Sequence, residues 1–245
     1  MIGRIRSMLA RIGVWIDDLL FPQDVVCLCC DHALGNDAKN GICRSCRMGL
    51  DALARRQEES EACDHRPLPQ GIAYIHSAFV YEGLARKLIH RLKYESVRRA
   101  AIALAEQMLF LPSGEEEIIV PVPTDKKRER RRGFNQSALL ARHIGKALGM
   151  QVIEALVRVD ERRPQTGLPA NERRRNLIGC MAASEAVSGK KVLLVDDVCT
   201  TGATLQEAAR ALYAAGARSV GVFTAARAEH EADKTEDPFD VSEKR

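Results

Sequence analysis

Val192-Leu-Leu-Val-Asp-Asp-Val-Cys-Thr-Thr-Gly-Ala-Thr204 is an apolar run that ends in two carboxylates, passes through a small hydroxyl-rich turn and enters a helix. Four consecutive apolar residues, Val192 to Val195, suit a strand covered on both faces, as in a parallel sheet flanked by helices. Asp196 and Asp197 then stand at its carboxyl end, the edge at which open α/β sheets bind ligands. Leu205, Ala208, Ala209 and Leu212 recur at helical spacing as far as Gly216, so the turn before them opens a helix. Such a turn presents backbone N–H groups and the positive end of a helix dipole to a phosphate. Thr200, Thr201 and Thr204 add hydroxyl donors around Gly202 and Ala203. Neighbouring carboxylates do not bind a phosphate, but they accept hydrogen bonds from a vicinal diol or hold a hydrated divalent cation. Phosphate donors beside diol acceptors point to ribose 5-phosphate. A buried strand and a capped helix with no ligand is the plainer alternative, and it leaves two charges at the end of a buried strand unexplained.

The chain of 245 residues is long enough for a full α/β core and one smaller module. Aromatic content is only 4%, so the core is aliphatic. The net charge of +4 hides a split: the stretch from Ala228 to Arg245 holds seven acids and three bases, which leaves the body at about +8 and attractive to polyanions. The opening Met1 to Phe21 mixes basic and apolar residues at helical spacing, which reads as an amphipathic packing helix and not as a secretory signal or a membrane span. Cytoplasmic residence and reduced cysteines are the resulting expectation.

Two C-x-x-C knuckles, Cys27 with Cys30 and Cys43 with Cys46, can present four thiolates to one tetrahedral zinc and close its coordination shell, the mark of a structural site. Cys29 blurs the register, and Cys63 and His65 stand near enough to substitute. Asp51 to Gln70 is polar and reads as a linker. Ala73 to Tyr81 reads as a strand, and Leu84, Leu88 and Leu92 as the apolar face of a helix closed by Lys93-Tyr94. A second helix follows over Val97 to Met108, before Pro112. The strand Glu117-Ile-Ile-Val-Pro-Val-Pro123 enters a basic loop in which Lys126, Lys127, Arg128, Arg130, Arg131 and Arg132 face Glu129 alone. That density suits a diphosphate or a nucleic-acid backbone. Phe134 to Gly149 reads as a helix burying Leu140, Ile144 and Leu148. Gln165 to Leu177 is basic and broken by Gly and Pro, a lid pattern in which Arg173 and Asn176 are the candidate contacts to a polyanion. Ser219 to Arg227 closes the strand, helix, strand alternation of a parallel sheet.

The 13-residue stretch resembles the signature of the type I phosphoribosyltransferases, which bind 5-phosphoribosyl 1-diphosphate. That resemblance implies that Asp196 and Asp197 hold the ribose hydroxyls, that residues 200–204 wrap the 5′-phosphate, and that the basic loop after Pro123 faces the diphosphate. More broadly, the chain is similar to the ComF/GntX-like, competence-associated family. The similarity is carried by Leu20-Phe-Pro22, the cysteine knuckles, Leu88-Ile-His-Arg-Leu-Lys-Tyr94, Val120-Pro-Val-Pro123, Arg132-Gly-Phe-Asn-Gln136, Gln165 through Arg173 to Asn176, and the signature itself. Relatives often carry a third C-x-x-C where this chain has Cys63-Asp-His65. The implied fold is a type I phosphoribosyltransferase-like parallel sheet flanked by helices, over residues 67–227. Residues 1–66 are then a helix, zinc module and linker, and 228–245 an acidic tail. Implied partners are magnesium, single-stranded DNA and a helicase-like competence protein.

Three functional readings fit these residues. One is a phosphoribosyltransferase of DNA uptake or nucleotide metabolism, in which Asp196, Asp197 and Arg173 act with magnesium and catalysis is electrostatic and positional. Another is a protein that handles single-stranded DNA through its basic loops, although the scarcity of aromatics near those loops argues against base stacking. The third is a sensor that binds the donor without turnover.

Overall fold

A computed structural model describes residues 26–62, 68–112, 114–159 and 179–228. The expected leading helix, Cys63, His65 and the acidic tail beyond Ala228 lie outside those residues. The apolar run from Val192 forms the central strand of a five-stranded sheet. In chain order the elements are α1 (Arg44–Ala62), β1 (Tyr74–Val80), α2 (Gly83–Tyr94), α3 (Ala100–Met108), β2 (Ile118–Pro121), α4 (Lys126–Arg132) and α5 (Gln136–Leu148). They continue with β3 (Gln151–Val152), β4 (Leu156–Arg158), β5 (Met181–Ala183), β6 (Lys191–Cys199), α6 (Ala203–Ala214) and β7 (Ser219–Arg227). The sheet order is β1-β7-β6-β2-β3, with every neighbouring pair parallel. Strands β4 and β5 form a separate antiparallel pair.

Successive side chains of a strand point to opposite faces, so β6 feeds two cores. Leu193 and Val195 pack with Leu88, Leu104 and Leu140 from α2, α3 and α5. Val192 and Leu194 pack with Leu205, Ala208 and Leu212 from α6. The cysteine-rich segment joins the first core through Leu28, Ile42 and Leu50, so it is continuous with the sheet domain.

Three expectations change. The polar stretch from Asp51, read as a linker, is helical as far as Ala62, and α1 packs along β1. Its Ala, Arg, Glu and Gln are good helix formers whose polar character masked the pattern. The basic loop is the helix α4: the Asp125 carboxylate accepts the N–H groups of Lys127 (2.9 Å) and Arg128 (3.2 Å), and Gly133 at φ +79° ends it. Caps alone define this helix, since it has no apolar stripe. Leu148, expected in the core, is 43% exposed, because it sits in the last turn of α5 just before Gly149.

Gly145 lets α5 close on the turn that follows it. A Cβ there would stand 2.6 Å from Val152 Cγ2 and 2.8 Å from the Met150 carbonyl oxygen. The helix gains a few tenths of a kcal/mol on replacing Gly by Val, whereas overpacking against backbone costs about 1–3 kcal/mol. Gly145→Val is therefore expected to lower the urea midpoint at unchanged m-value. A variant as stable as the parent would show that the α5 to β3 contact yields freely.

Candidate functional site

Strand β6 outruns one of its neighbours. Its register with β2 ends at Pro121 opposite Val195, whereas β7 stays paired with it as far as Cys199 opposite Arg227. Asp196 and Asp197 thus lie inside the strand but beyond the end of β2, at a step in the sheet edge. The strand does not stop before them, as the apolar pattern suggested, because β7 is long enough to keep bonding it.

Helices α2 and α5 supply the partners of the acid pair. The Ser137 hydroxyl, at the start of α5, donates to Asp196 Oδ1 at 2.8 Å, and the Asp197 N–H donates to the same oxygen at 2.8 Å. Lys93, in the last turn of α2, places its Nζ 2.8 Å from Asp197 Oδ1. Asp197 is only 5% exposed, and its Oδ2 is buried without a hydrogen-bond partner among the described residues. A buried anionic oxygen left unpaired is costly, which marks it as an acceptor awaiting a donor or a cation.

Burial pushes the Asp196 carboxyl up to about 7, helped by the charge of Asp197 and opposed by the Ser137 and Asp197 hydrogen bonds and by Lys93. Burial pulls Lys93 down, but Asp197 and Asp196 outweigh it, so the ammonium is held above its ordinary value and stays charged. Arg132 is 8% exposed and donates from Nη1 to Gln136 Oε1 at 2.9 Å. Its burial lowers the guanidinium pKa, with Asp197 acting in the opposite direction.

The turn after β6 is built for close approach. Gly202 takes φ +72°, and a Cβ there would lie 3.0 Å from Pro69 Cγ. Gly202, the N-cap of α6, has no side chain to cap the first turn, and among the described residues the Thr201 hydroxyl accepts the Ala203 N–H alone, at 3.4 Å. The α6 amino end therefore retains backbone donors, with Thr200 exposed beside them. Further along α6, buried Glu207 accepts the N–H groups of Gly179 (2.9 Å) and Met181 (3.3 Å), which ties β5 to the helix.

The residues singled out from sequence divide unevenly. Asp196, Asp197 and residues 200–204 share one edge. Of the basic run, only Arg132 turns inward toward the acids, while Lys126, Lys127, Arg128, Arg130 and Arg131 are exposed on α4. Arg173 and Asn176 lie outside the described residues. Lys93 and Ser137 were missed as partners of the acids. Lys93 was legible as the end of a helix and as part of the stretch Leu88 to Tyr94 that carries the resemblance, and Ser137 only as a small polar residue near the start of a helix, because no local pattern gives either one a partner.

At the amino-terminal side, the Sγ atoms of Cys27, Cys30, Cys43 and Cys46 lie within 4.8 Å of one another, with Cys30 and Cys43 at 3.8 Å. The Cys27 sulfur accepts the N–H groups of Cys29 and Cys43, each at 3.4 Å. Burial pushes the Cys27 thiol up, but backbone donors from Cys43, Cys29 and Cys30 outweigh it and bring it to about 6. This cluster can hold a metal ion. Cys29 is not part of it; buried beside it, Cys29 is pushed up to about 12.

The family model of the phosphoribosyl transferase domain matches residues 93–244. Competence protein F of Haemophilus influenzae is 32% identical, over 81% of this chain and 96% of that protein. DNA utilization protein YhgH of Escherichia coli K12 is 38% identical, over 57% of this chain and 66% of its own length. Competence protein ComFC of Bacillus subtilis is 26% identical, over 85% and 87%. With a domain match that spans the acid pair and its turn, and near full-length likeness to Competence protein F, the chain belongs to the ComF-like family built on a type I phosphoribosyltransferase domain.

Proposed function

We propose that the chain binds 5-phosphoribosyl 1-diphosphate with magnesium at the β6 to α6 edge and serves DNA uptake or nucleotide metabolism. The observation that carries this reading is the buried Asp197 Oδ2, without a hydrogen-bond partner among the described residues, at the end of the strand that leads into a helix whose N-cap, Gly202, has no side chain. In this reading Asp196 and Asp197 accept the ribose hydroxyls, and the N–H and hydroxyl groups of residues 200–204 take the 5′-phosphate. Lys93 and Arg132 are the cations placed to meet the diphosphate. The carboxylate oxygens of Asp196 and Asp197 are the hard donors magnesium takes, and magnesium, when bound, supplies charge that steadies diphosphate. For a transfer reaction, the bond from the anomeric carbon to the diphosphate oxygen breaks as an acceptor attacks that carbon. The side chains position and neutralise, and none of them becomes a covalent nucleophile. The names of the Haemophilus and Bacillus relatives favour the competence role.

Zinc is the metal we assign to the cysteine cluster. A tetrahedron with Zn–S bonds of about 2.3 Å has sulfur–sulfur edges of about 3.8 Å, and Cys30 and Cys43 already stand 3.8 Å apart. Four thiolates leave no open position, so its role is structural.

Calorimetric titration of the full chain with 5-phosphoribosyl 1-diphosphate and magnesium is expected to show binding that an Asp196→Asn/Asp197→Asn variant largely loses, by at least about tenfold. No heat at millimolar ligand would remove the pocket assignment. The raised Asp196 pKa also sets a sign. The folded state holds this proton more tightly than the unfolded chain does, so the contribution is favourable at low pH and is lost as pH rises toward about 7. Asp196→Asn is expected to melt higher than the parent at pH 8, with the gap closing toward pH 5; a pH-independent difference would contradict a strained carboxylate. Protein purified under reducing conditions should carry one zinc per chain, and Cys43→Ser should lose both the zinc and several degrees of melting temperature. A content well below one would refute the four-thiolate site.

A further inference from the structure

The ion pair between Lys93 and Asp197 sits mostly out of water, the lysine side chain 18% exposed and the aspartate side chain 7%. The ammonium stands 2.8 Å from Oδ1, while Oδ2 of the same carboxylate is buried without a hydrogen-bond partner among the described residues. Asp196 lies alongside, its Oδ1 taken by the Ser137 hydroxyl and the Asp197 N–H. Lys93 feels the charge of both acids, and the Arg132 guanidinium feels that of Asp197, so the formal charges of these four groups cancel. The two cations are held differently. Arg132 donates to Gln136 Oε1 at 2.9 Å and lies 5.5 Å from the centre of the Tyr94 ring, which fixes its guanidinium on two sides. Lys93 belongs to the last turn of α2, where Leu88, Ile89 and Leu92 are fully buried. Its backbone is therefore fixed while its four-carbon stem can turn, and the ammonium can change partner without moving the helix.

We propose that Lys93 is the resident counter-ion of the acid pair: it shuts free divalent cations out of Asp196 and Asp197, so that a metal is admitted only with an anion that draws the ammonium off Asp197. The inference rests on the acid-pair site of the reading above and adds an order to its filling. A divalent cation placed on Asp197 Oδ2 has the ammonium on the other oxygen of the same carboxylate, a few ångströms away, where like charges repel strongly in a site with little water. An anion removes that obstacle twice. It offers the ammonium another oxygen, and it brings negative charge against which the metal is held. A neutral side chain at position 93 leaves two carboxylates without that counter-charge, the hard oxygen donors that a divalent cation takes unaided.

The test is titration of the full chain with manganese(II) alone at pH 8, followed by the paramagnetic signal of the free ion, with no phosphate compound present. The parent is expected to bind weakly. Lys93→Met should bind the ion at least about tenfold more tightly, since it lifts a close like-charge repulsion. The gain should vanish in Lys93→Met/Asp197→Asn. Lys93→Arg keeps the charge and should bind like the parent. Lost structure does not raise affinity for a metal, so a gain is not explained by damage to the fold. Melting curves accompany each variant, and Lys93→Gln, which keeps a donor for Asp197 without the charge, carries the test should the methionine variant unfold. Neutral variants that bind manganese no more tightly than the parent, a gain that survives Asp197→Asn, or Lys93→Arg as tight as Lys93→Met would each overturn the proposal. The calorimetric titration above separates the two readings. A parent that binds 5-phosphoribosyl 1-diphosphate, with no manganese gain on losing Lys93, removes the role of the lysine alone; a manganese gain in a chain that ignores that ligand removes the ribose assignment alone.

Discussion

Two carboxylates side by side in a buried strand cannot both stay ionised unaided, and much of this architecture answers that constraint. Lys93 supplies a counter-charge at 2.8 Å, Ser137 a hydroxyl and Asp197 its own N–H, and one oxygen of Asp197 is still left over. The last turn of α2 and the first turn of α5 must therefore both end at the step where β6 passes β2. The aliphatic core beneath, with Leu88, Leu92, Leu140 and Ile144 fully buried, holds those two helices in place.

The cysteine cluster is joined to the same helix. Asp31, in the first knuckle at φ +64°, accepts from Lys87 at 3.1 Å and from Arg91, both on α2. Exposed ion pairs of this kind are worth little singly. The greater part of the attachment is the shared apolar core, to which Leu28, Ile42 and Leu50 contribute. A metal that stiffens the knuckles would thus steady the helix whose last turn carries both Arg91, bound to Asp31, and Lys93, bound to Asp197.

Much of this was legible in the linear chain. The uninterrupted run Val192 to Val195 read correctly as a strand buried on both faces, and Leu205, Ala208, Ala209 and Leu212 as the buried stripe of the following helix. The paired C-x-x-C spacing read correctly as a four-sulfur cluster, since each knuckle is local and only their meeting is long-range. The two helices that were missed had no periodic signal. Helix α4 contains no apolar residue, so only its caps betray it, and α1 is so polar that its helix formers resembled a linker. Leu148 matched the helical stripe but fell in a terminal turn with nothing above it.

Periodicity, caps and cysteine spacing are properties of neighbours in the chain, so the sequence by itself determined the strand, turn and helix of the acid pair, the two knuckles and the alternating α/β order. Which cation meets which acid is a property of neighbours in space. Six basic residues between Lys126 and Arg132 look equivalent on paper, yet only Arg132 is turned in by the Gln136 carbonyl and the Tyr94 ring, while the rest face solvent. The partner of Asp197 is instead Lys93, more than a hundred positions earlier, because packing of α2 on the sheet, and not distance along the chain, brings that ammonium to the step.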